Sequence, residues 1–344
     1  MKLTRSVRHN IIANFTGNVW RGIFNLAFIP VYIKLMGVEV YGLLGVFMSL
    51  SALFILLDMG LSTTLSRELS RLSVIENSEQ ESRNLVRTFE VVYWLIGIVI
   101  GASVIILAPL IAKYWINSAN ISTEIIEQTL LIMGMLLAFQ WPRAIYIGGL
   151  EGLQRQVLYN VIKTLSMLAR HIGAVLILTF ISPSILYFFY WQSVIALITT
   201  IVLAVYLWRS LPKSNGRSKF DKNLFIKNWK FVSGVMGISL GTVLLTQIDK
   251  VILSKMLTLE VFSYYMLATT VATVIMSLVS PIHTALFPRL SQLVVKKDEV
   301  SISDLYHRGC QLASIIILPI SITMIFFSKE ILSTWIGDPT VVNN

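Results

Sequence analysis

An arginine stands in the middle of the first hydrophobic run of this chain. Arg21, within Ile11–Leu35, is flanked by Asn14, Asn18 and Asn25 at spacings of four, three and four residues. In a helix turning about 100° per residue, these four side chains share an arc of about 60°. The other faces carry Ile11, Phe15, Val19, Ile23, Phe24 and Phe28. A charge at mid-membrane depth costs roughly 2.5–3.5 kcal/mol even on gentle insertion scales, so it faces a bundle interior or a watery cavity. A guanidinium beside amides suits an anionic ligand bearing hydroxyls, because amides both donate and accept. A structural arginine bonded to neighbouring helices is the bland alternative.

A second cluster repeats this chemistry. Lys163, Ser166 and Arg170 share one helix face, His171 lies beside them, and Arg143 ends the preceding hydrophobic run. Lys163 is close enough to its span's end to snorkel to the headgroups, whereas Arg170, half-way along, is not. Acidic and titratable groups on other spans are candidates for coupling or gating: Asp58, Asp249 with its neighbour Lys250, and His283, besides His171. Asp58 shares a face with Ser51 and Ser62 and reads equally well as an interface carboxylate. Gly148-Gly149-Leu150-Glu151-Gly152 would need a preceding strand to be a phosphate loop, and a membrane helix precedes it instead.

The elements that position these groups are membrane helices. Of 344 residues, 55% are hydrophobic and only 13% charged, against about a quarter in soluble domains. Apolar runs of membrane-crossing length recur near 11–35, 41–62, 88–112, 125–146, 157–180, 185–208, 231–256, 261–283 and 306–328. These features predict an all-α polytopic membrane protein with about nine spans. The single Cys310 excludes an internal disulfide framework, and the four histidines show no metal spacing. The net charge of +10 is an orientation signal: 21 of the 28 Lys and Arg flank the amino terminus and the even-numbered connections. The positive-inside rule then places the amino terminus in the cytoplasm, and no nucleic-acid partner is expected.

The chain divides at a basic stretch. Residues 1–208 hold six spans, 209–230 read as a flexible cytoplasmic linker that rests on anionic membrane lipids, and 231–344 hold three more. Residues 67–87 read as a solvated connector with short helical ends, and the Tyr and Trp at span ends as interface anchors. A shift of 221 residues aligns Lys34 with Lys255, Glu39 with Glu260, Val40 with Val261, Leu69-Ser70 with Leu290-Ser291 and Arg87 with Arg308. Six spans separate equivalent positions, so the halves are parallel repeats about an axis along the membrane normal. The stripe of Ser239, Thr242, Thr246 and Asp249 answers the Arg21 face. Six spans in the first repeat against three in the second mean either a truncated chain, with about three helices missing from the end, or a broken symmetry; truncation is the favoured expectation.

Several short motifs carry a resemblance. Ile29-Pro30, Lys34-Leu35-Met36-Gly37, Tyr41-Gly42 and Asp58-Met59-Gly60-Leu61 with Arg67 resemble the opening of bacterial polysaccharide flippases of the Wzx type. Gly152-Leu153-Gln154-Arg155, Ile248-Asp249-Lys250 and Glu260-Val261-Phe262-Ser263-Tyr264-Tyr265 are similar to the same family, within the multidrug/oligosaccharidyl-lipid/polysaccharide (MOP) exporter superfamily. The resemblance implies a MOP-type two-lobed helical bundle, here a six-helix amino-terminal lobe plus a partial second lobe. It implies a flippase turning undecaprenyl-pyrophosphate-linked oligosaccharide across the bacterial cytoplasmic membrane by alternating access. It further implies an H+ or Na+ gradient rather than a cofactor, and a polysaccharide polymerase with chain-length machinery as partners. Arg21, Arg143, Lys163, Arg170 and the three asparagines would line the path. The rivals are an ion-coupled multidrug antiporter of the same superfamily and a membrane polymerase or ligase; the short external connections and the lack of a DxD motif speak against an enzyme.

Overall fold

A computed structural model describes residues 24, 26–55, 58, 60–73, 75–214, 216–273 and 298–337, with backbone alone over 227–240. Asn14, Asn18, Arg21, Asn25 and His283 lie outside the described residues. The elements among the described residues are helices: α1 Leu26–Met36, α2 Val38–Ile55, α3 Leu61–Leu72, α4 Glu79–Tyr114, α5 Thr123–Gln140 and α6 Arg143–Gly152. There follow α7 Gln156–Phe180, α8 Ile185–Ser210, α9 Lys222–Met256, α10 over 259–273, α11 Glu299–Phe326 and α12 Ser328–Ile336. Among the described residues there is no strand, only an isolated bridge between Asn117 and Thr258. Among the described residues, five helical stretches are long and apolar enough to cross a membrane: Glu79–Tyr114, Thr123–Gly152, Gln156–Phe180, Ile185–Ser210 and Glu299–Phe326. The protein is an all-α polytopic membrane protein.

The chain forms two compact units, one of residues 1–13 with 35–263 and the other of 14–34 with 264–344. In the second unit, Phe28 stacks between Phe24 and Tyr32, and Trp335 of α12 donates to the Leu26 carbonyl at 3.1 Å. The first unit holds the Arg143, Lys163 and Arg170 cluster and carries most of the buried core.

Three expectations change within the first unit. The span over 41–62 is shorter: α2 ends at Ile55, and Gly60, at φ 72°, sets a left-handed turn into α3. Helix α3 is amphipathic, so the helical end of the connector over 67–87 has one buried face, while Ser73 and 75–77 between the helices are exposed. Leu61, Leu65, Leu69 and Leu72 repeat every three or four residues and are buried, while Arg67 and Arg71 face outward. Glu68 is buried between them. Desolvation raises its carboxyl pKa, but hydrogen bonds and charge from Arg71 and Arg67 outweigh this and hold it below the ordinary value.

The glycines of α6 also find a use. A Cβ on Gly148 would strike the Ser62 carbonyl, and one on Gly152 would lie 2.5 Å from the Ser66 carbonyl. Bare backbone therefore packs on bare backbone, and Ser70 Oγ closes the seam by donating to the Gly152 carbonyl at 2.8 Å. This packing explains the Gly-rich run without a phosphate. Pro142 separates α5 from α6, since a proline nitrogen has no hydrogen to donate.

Third, the basic segment before α9 is tied down. Gln80, Asn84 and Thr88 line one face of α4 at i, i+4 and i+8. Gln80 Nε2 donates to the Arg217 carbonyl (3.0 Å), Asn84 Oδ1 accepts from Lys219 N (2.9 Å) and Thr88 Oγ1 accepts from Asp221 N (2.8 Å). Asp221 then caps α9 by accepting from Asn223 N. Trp208 is no free interface anchor: its indole donates to buried Glu90 at 3.1 Å, and Tyr146 donates to the same carboxylate at 2.8 Å.

Candidate functional site

Helices α7 and α8 pack antiparallel, and polar pairs bridge them at mid-length. Arg170 Nε donates to Gln192 Oε1 at 2.7 Å, and Gln192 Nε2 lies 3.5 Å from the Arg170 carbonyl. One turn along α7 and two along α8, Ser166 Oγ and Thr199 Oγ1 are 2.5 Å apart. Gln192 and Thr199 are both buried, so each hydrogen bond removes a desolvated polar group that would otherwise be costly. Lys163 Nζ reaches one turn back along α7 to Tyr159 OH (2.8 Å), 5.2 Å from the ring centre. That is the direction in which a lysine snorkels, but the tyrosine holds it. Arg143, at the start of α6, is within electrostatic range of both Arg170 and Tyr159, and His171 feels the Arg170 charge.

Arg143, Lys163 and Arg170 thus belong to one neighbourhood of the first unit. Among the described residues no carboxylate lies within ion-pair distance of Arg143 or Lys163. Three cations with the Tyr159, Ser166 and Thr199 hydroxyls and the Gln192 amide nearby make a surface suited to an anion that also forms hydrogen bonds. Gln192, Thr199 and Tyr159 are absent from the sequence expectation. The seven-residue interval between two polar residues in the apolar α8 run was the signal for the first two.

The other candidates lie apart. Asp58 accepts from Ser62 Oγ at 2.9 Å and from Tyr93 OH. Ser51 does not join them, because the helix breaks between it and Ser62. Lys250 donates back to the Thr246 carbonyl (2.5 Å) and stands 4.0 Å from Asp249. Among the described residues no group of His, Cys, Asp and Glu is arranged to hold a metal.

The family model "Polysaccharide biosynthesis protein" matches residues 7–294 of this chain. The chain belongs to that family. No curated protein matches it in a sequence search. A solved structure, that of the MATE multidrug transporter DinF-BH, superposes with a TM-score of 0.62 at 15% identity. The superposition covers 99% of this chain and 77% of that one. At that identity the likeness is one of fold, and this member of the polysaccharide biosynthesis family has the helical architecture of a MATE transporter.

Proposed function

We propose that this protein is a flippase that moves undecaprenyl-pyrophosphate-linked oligosaccharide repeat units across the bacterial cytoplasmic membrane. The observation that carries the reading is the grouping of Arg143, Lys163 and Arg170 around the α7–α8 seam. A pyrophosphate passing through apolar surroundings must exchange its hydration for fixed donors, and guanidinium groups offer them in bidentate pairs. Ser166, Thr199 and Gln192 supply hydroxyl and amide partners for sugars. The Arg21 face with Asn14, Asn18 and Asn25 is read as the second wall of the path, and Asp58, His171, Asp249, Lys250 and His283 as groups that couple the cycle to an ion gradient.

The cycle is alternating access between a six-span lobe of residues 1–208 and a partial lobe of 231–344, joined by 209–230. The amino terminus lies in the cytoplasm. Arg67, Arg71, Arg83, Arg87, Arg155 and Arg209 cluster at one end of the first unit's helices, while Lys113 and Lys255 are at the other, and this asymmetry supports that orientation.

The test is flipping of a lipid-linked oligosaccharide in proteoliposomes. Arg170→Ala and Arg143→Ala should each slow flipping about tenfold or more, as expected for a lost hydrogen-bonded charge contact. Arg170→Lys should recover part of the rate, since it keeps charge but loses the fork. Full rates in both alanine variants would remove the basis of the proposal. In cells lacking the protein, inward-facing lipid-linked units should accumulate; unchanged lipid pools with altered drug sensitivity would favour a drug antiporter instead.

A further inference from the structure

At the end of the first unit opposite its basic cluster, four segments are bonded together. The connection from α4 to α5, residues 115–122, is gripped from one side by Glu39 in the first turn of α2. Buried Glu39 accepts from Ser118 Oγ (2.9 Å), Ala119 N (2.8 Å) and Asn120 N (3.1 Å). From the other side the α9–α10 turn pairs with it: Leu259 N donates to the Asn117 carbonyl at 2.7 Å, in a parallel bridge between Asn117 and Thr258. Asn117 Nδ2 donates to the Lys255 carbonyl (3.2 Å) and Trp115 Nε1 to Ser254 Oγ (3.0 Å). Lys255 Nζ caps the Tyr114 carbonyl at the end of α4 and lies 5.3 Å from the Trp115 ring centre.

Beneath these bonds α2 crosses α10 with no side chain between them at one point. A Cβ on Gly42 would strike the Leu259 carbonyl and lie 2.7 Å from Ser263 Oγ. The 221-residue shift that relates the repeats carries Gly42 onto Ser263. On that reading of the sequence the repeats touch at equivalent positions, as contacts on a pseudo-twofold axis do. All the residues of this crossing belong to the first compact unit, so an opening here parts α2 and the 115–122 connection from the α9–α10 turn within that unit. The seal is also polar. The Glu39 bonds are part-buried, the Asn117–Lys255 bond is exposed, and the same segments carry buried Tyr41, Leu259 and Phe262; at the exposed rim water can replace the bonds.

We propose that Glu39, the 115–122 connection and the α9–α10 turn form the external gate of the transport cycle. In this structure the gate is shut, and outward opening breaks the Glu39 bonds and the Asn117–Thr258 bridge together. The inference rests on the alternating-access reading, so its test uses a readout that needs no substrate.

Ser263 is fully buried, so a cysteine there reports opening. In a Cys310→Ser background, Ser263→Cys should react slowly with a membrane-impermeant maleimide added outside intact cells. Adding Glu39→Ala should raise that rate about tenfold, because it removes a charged acceptor from three donors; Glu39→Gln should fall between. An unchanged rate in both variants, or reaction only from the cytoplasmic side, overturns the gate. As a second measurement, residues paired across a bridge lie about 5 Å apart, within the disulfide range of about 4.4–6.8 Å. Asn117→Cys with Thr258→Cys should cross-link in membranes on oxidation, abolish the faster labelling of the Glu39→Ala protein and stop flipping until reduced. No cross-link, or a cross-link that leaves labelling fast, overturns the proposal. Accelerated labelling by Glu39→Ala in a protein that flips no lipid-linked glycan would uphold the gate and reject the assigned substrate.

Discussion

Gln192 shows how one neutral side chain shapes a charged site. Buried on α8, it accepts from Arg170 Nε and so fixes the plane of the guanidinium. Gln192→Leu should weaken substrate binding about tenfold, read as a higher KM with a smaller change in turnover. Gln192→Glu keeps the size and the hydrogen bond but supplies a neutralising carboxylate. It should weaken binding of the proposed anionic substrate further while leaving the unfolding temperature close to that of the parent, a split that a purely structural role would not give. Glu39 teaches a different lesson: its match to Glu260 was legible in the chain, but its partners Ser118, Ala119 and Asn120 are some 80 residues away and mostly backbone. No spacing rule reaches that far.

At the level of elements, the seam between α3 and α6 depends on bare backbone. Gly152→Ala should lower stability by about 1–3 kcal/mol, because the Ser66 carbonyl must move and overpacked sites relax only in part. Gly241, in α9, has nothing within 4 Å of an added Cβ, so Gly241→Ala should be neutral or stabilising by up to about 1 kcal/mol. Unfolding temperatures in detergent check both. The contrast also marks the limits of sequence reading. The spans over 88–112, 157–180 and 185–208 were legible because long apolar runs in a membrane protein have one stable backbone solution. The helix α3 was not, because four arginines and four glutamates over 67–87 imitate a solvated loop, while its leucines at 61, 65, 69 and 72 straddle the end of the preceding apolar run. The cluster of Arg143, Lys163 and Arg170 was partly legible, from charge inside apolar runs; the residues that orient it were not, since Gln and Thr carry no such contrast.

For the molecule as a whole, the orientation can be checked without any transport assay. With Cys310 replaced by Ser, Asn120→Cys should be labelled by an impermeant reagent outside the cell, and Lys213→Cys only after permeabilisation. The reverse pattern would place the basic end outside, and with it the direction assigned to every step of the cycle. Both expectations follow from where charges fall along the chain. The strip of Gln80, Asn84 and Thr88 on α4 adds something that charge counting does not contain. Helix α4 leaves the ribosome before residues 211–221 do, so their docking strip is already in place when they emerge. The named hydrogen bonds can then hold the connection on its side of the bilayer as it emerges, ahead of the apolar residues of α9 that follow it out of the ribosome.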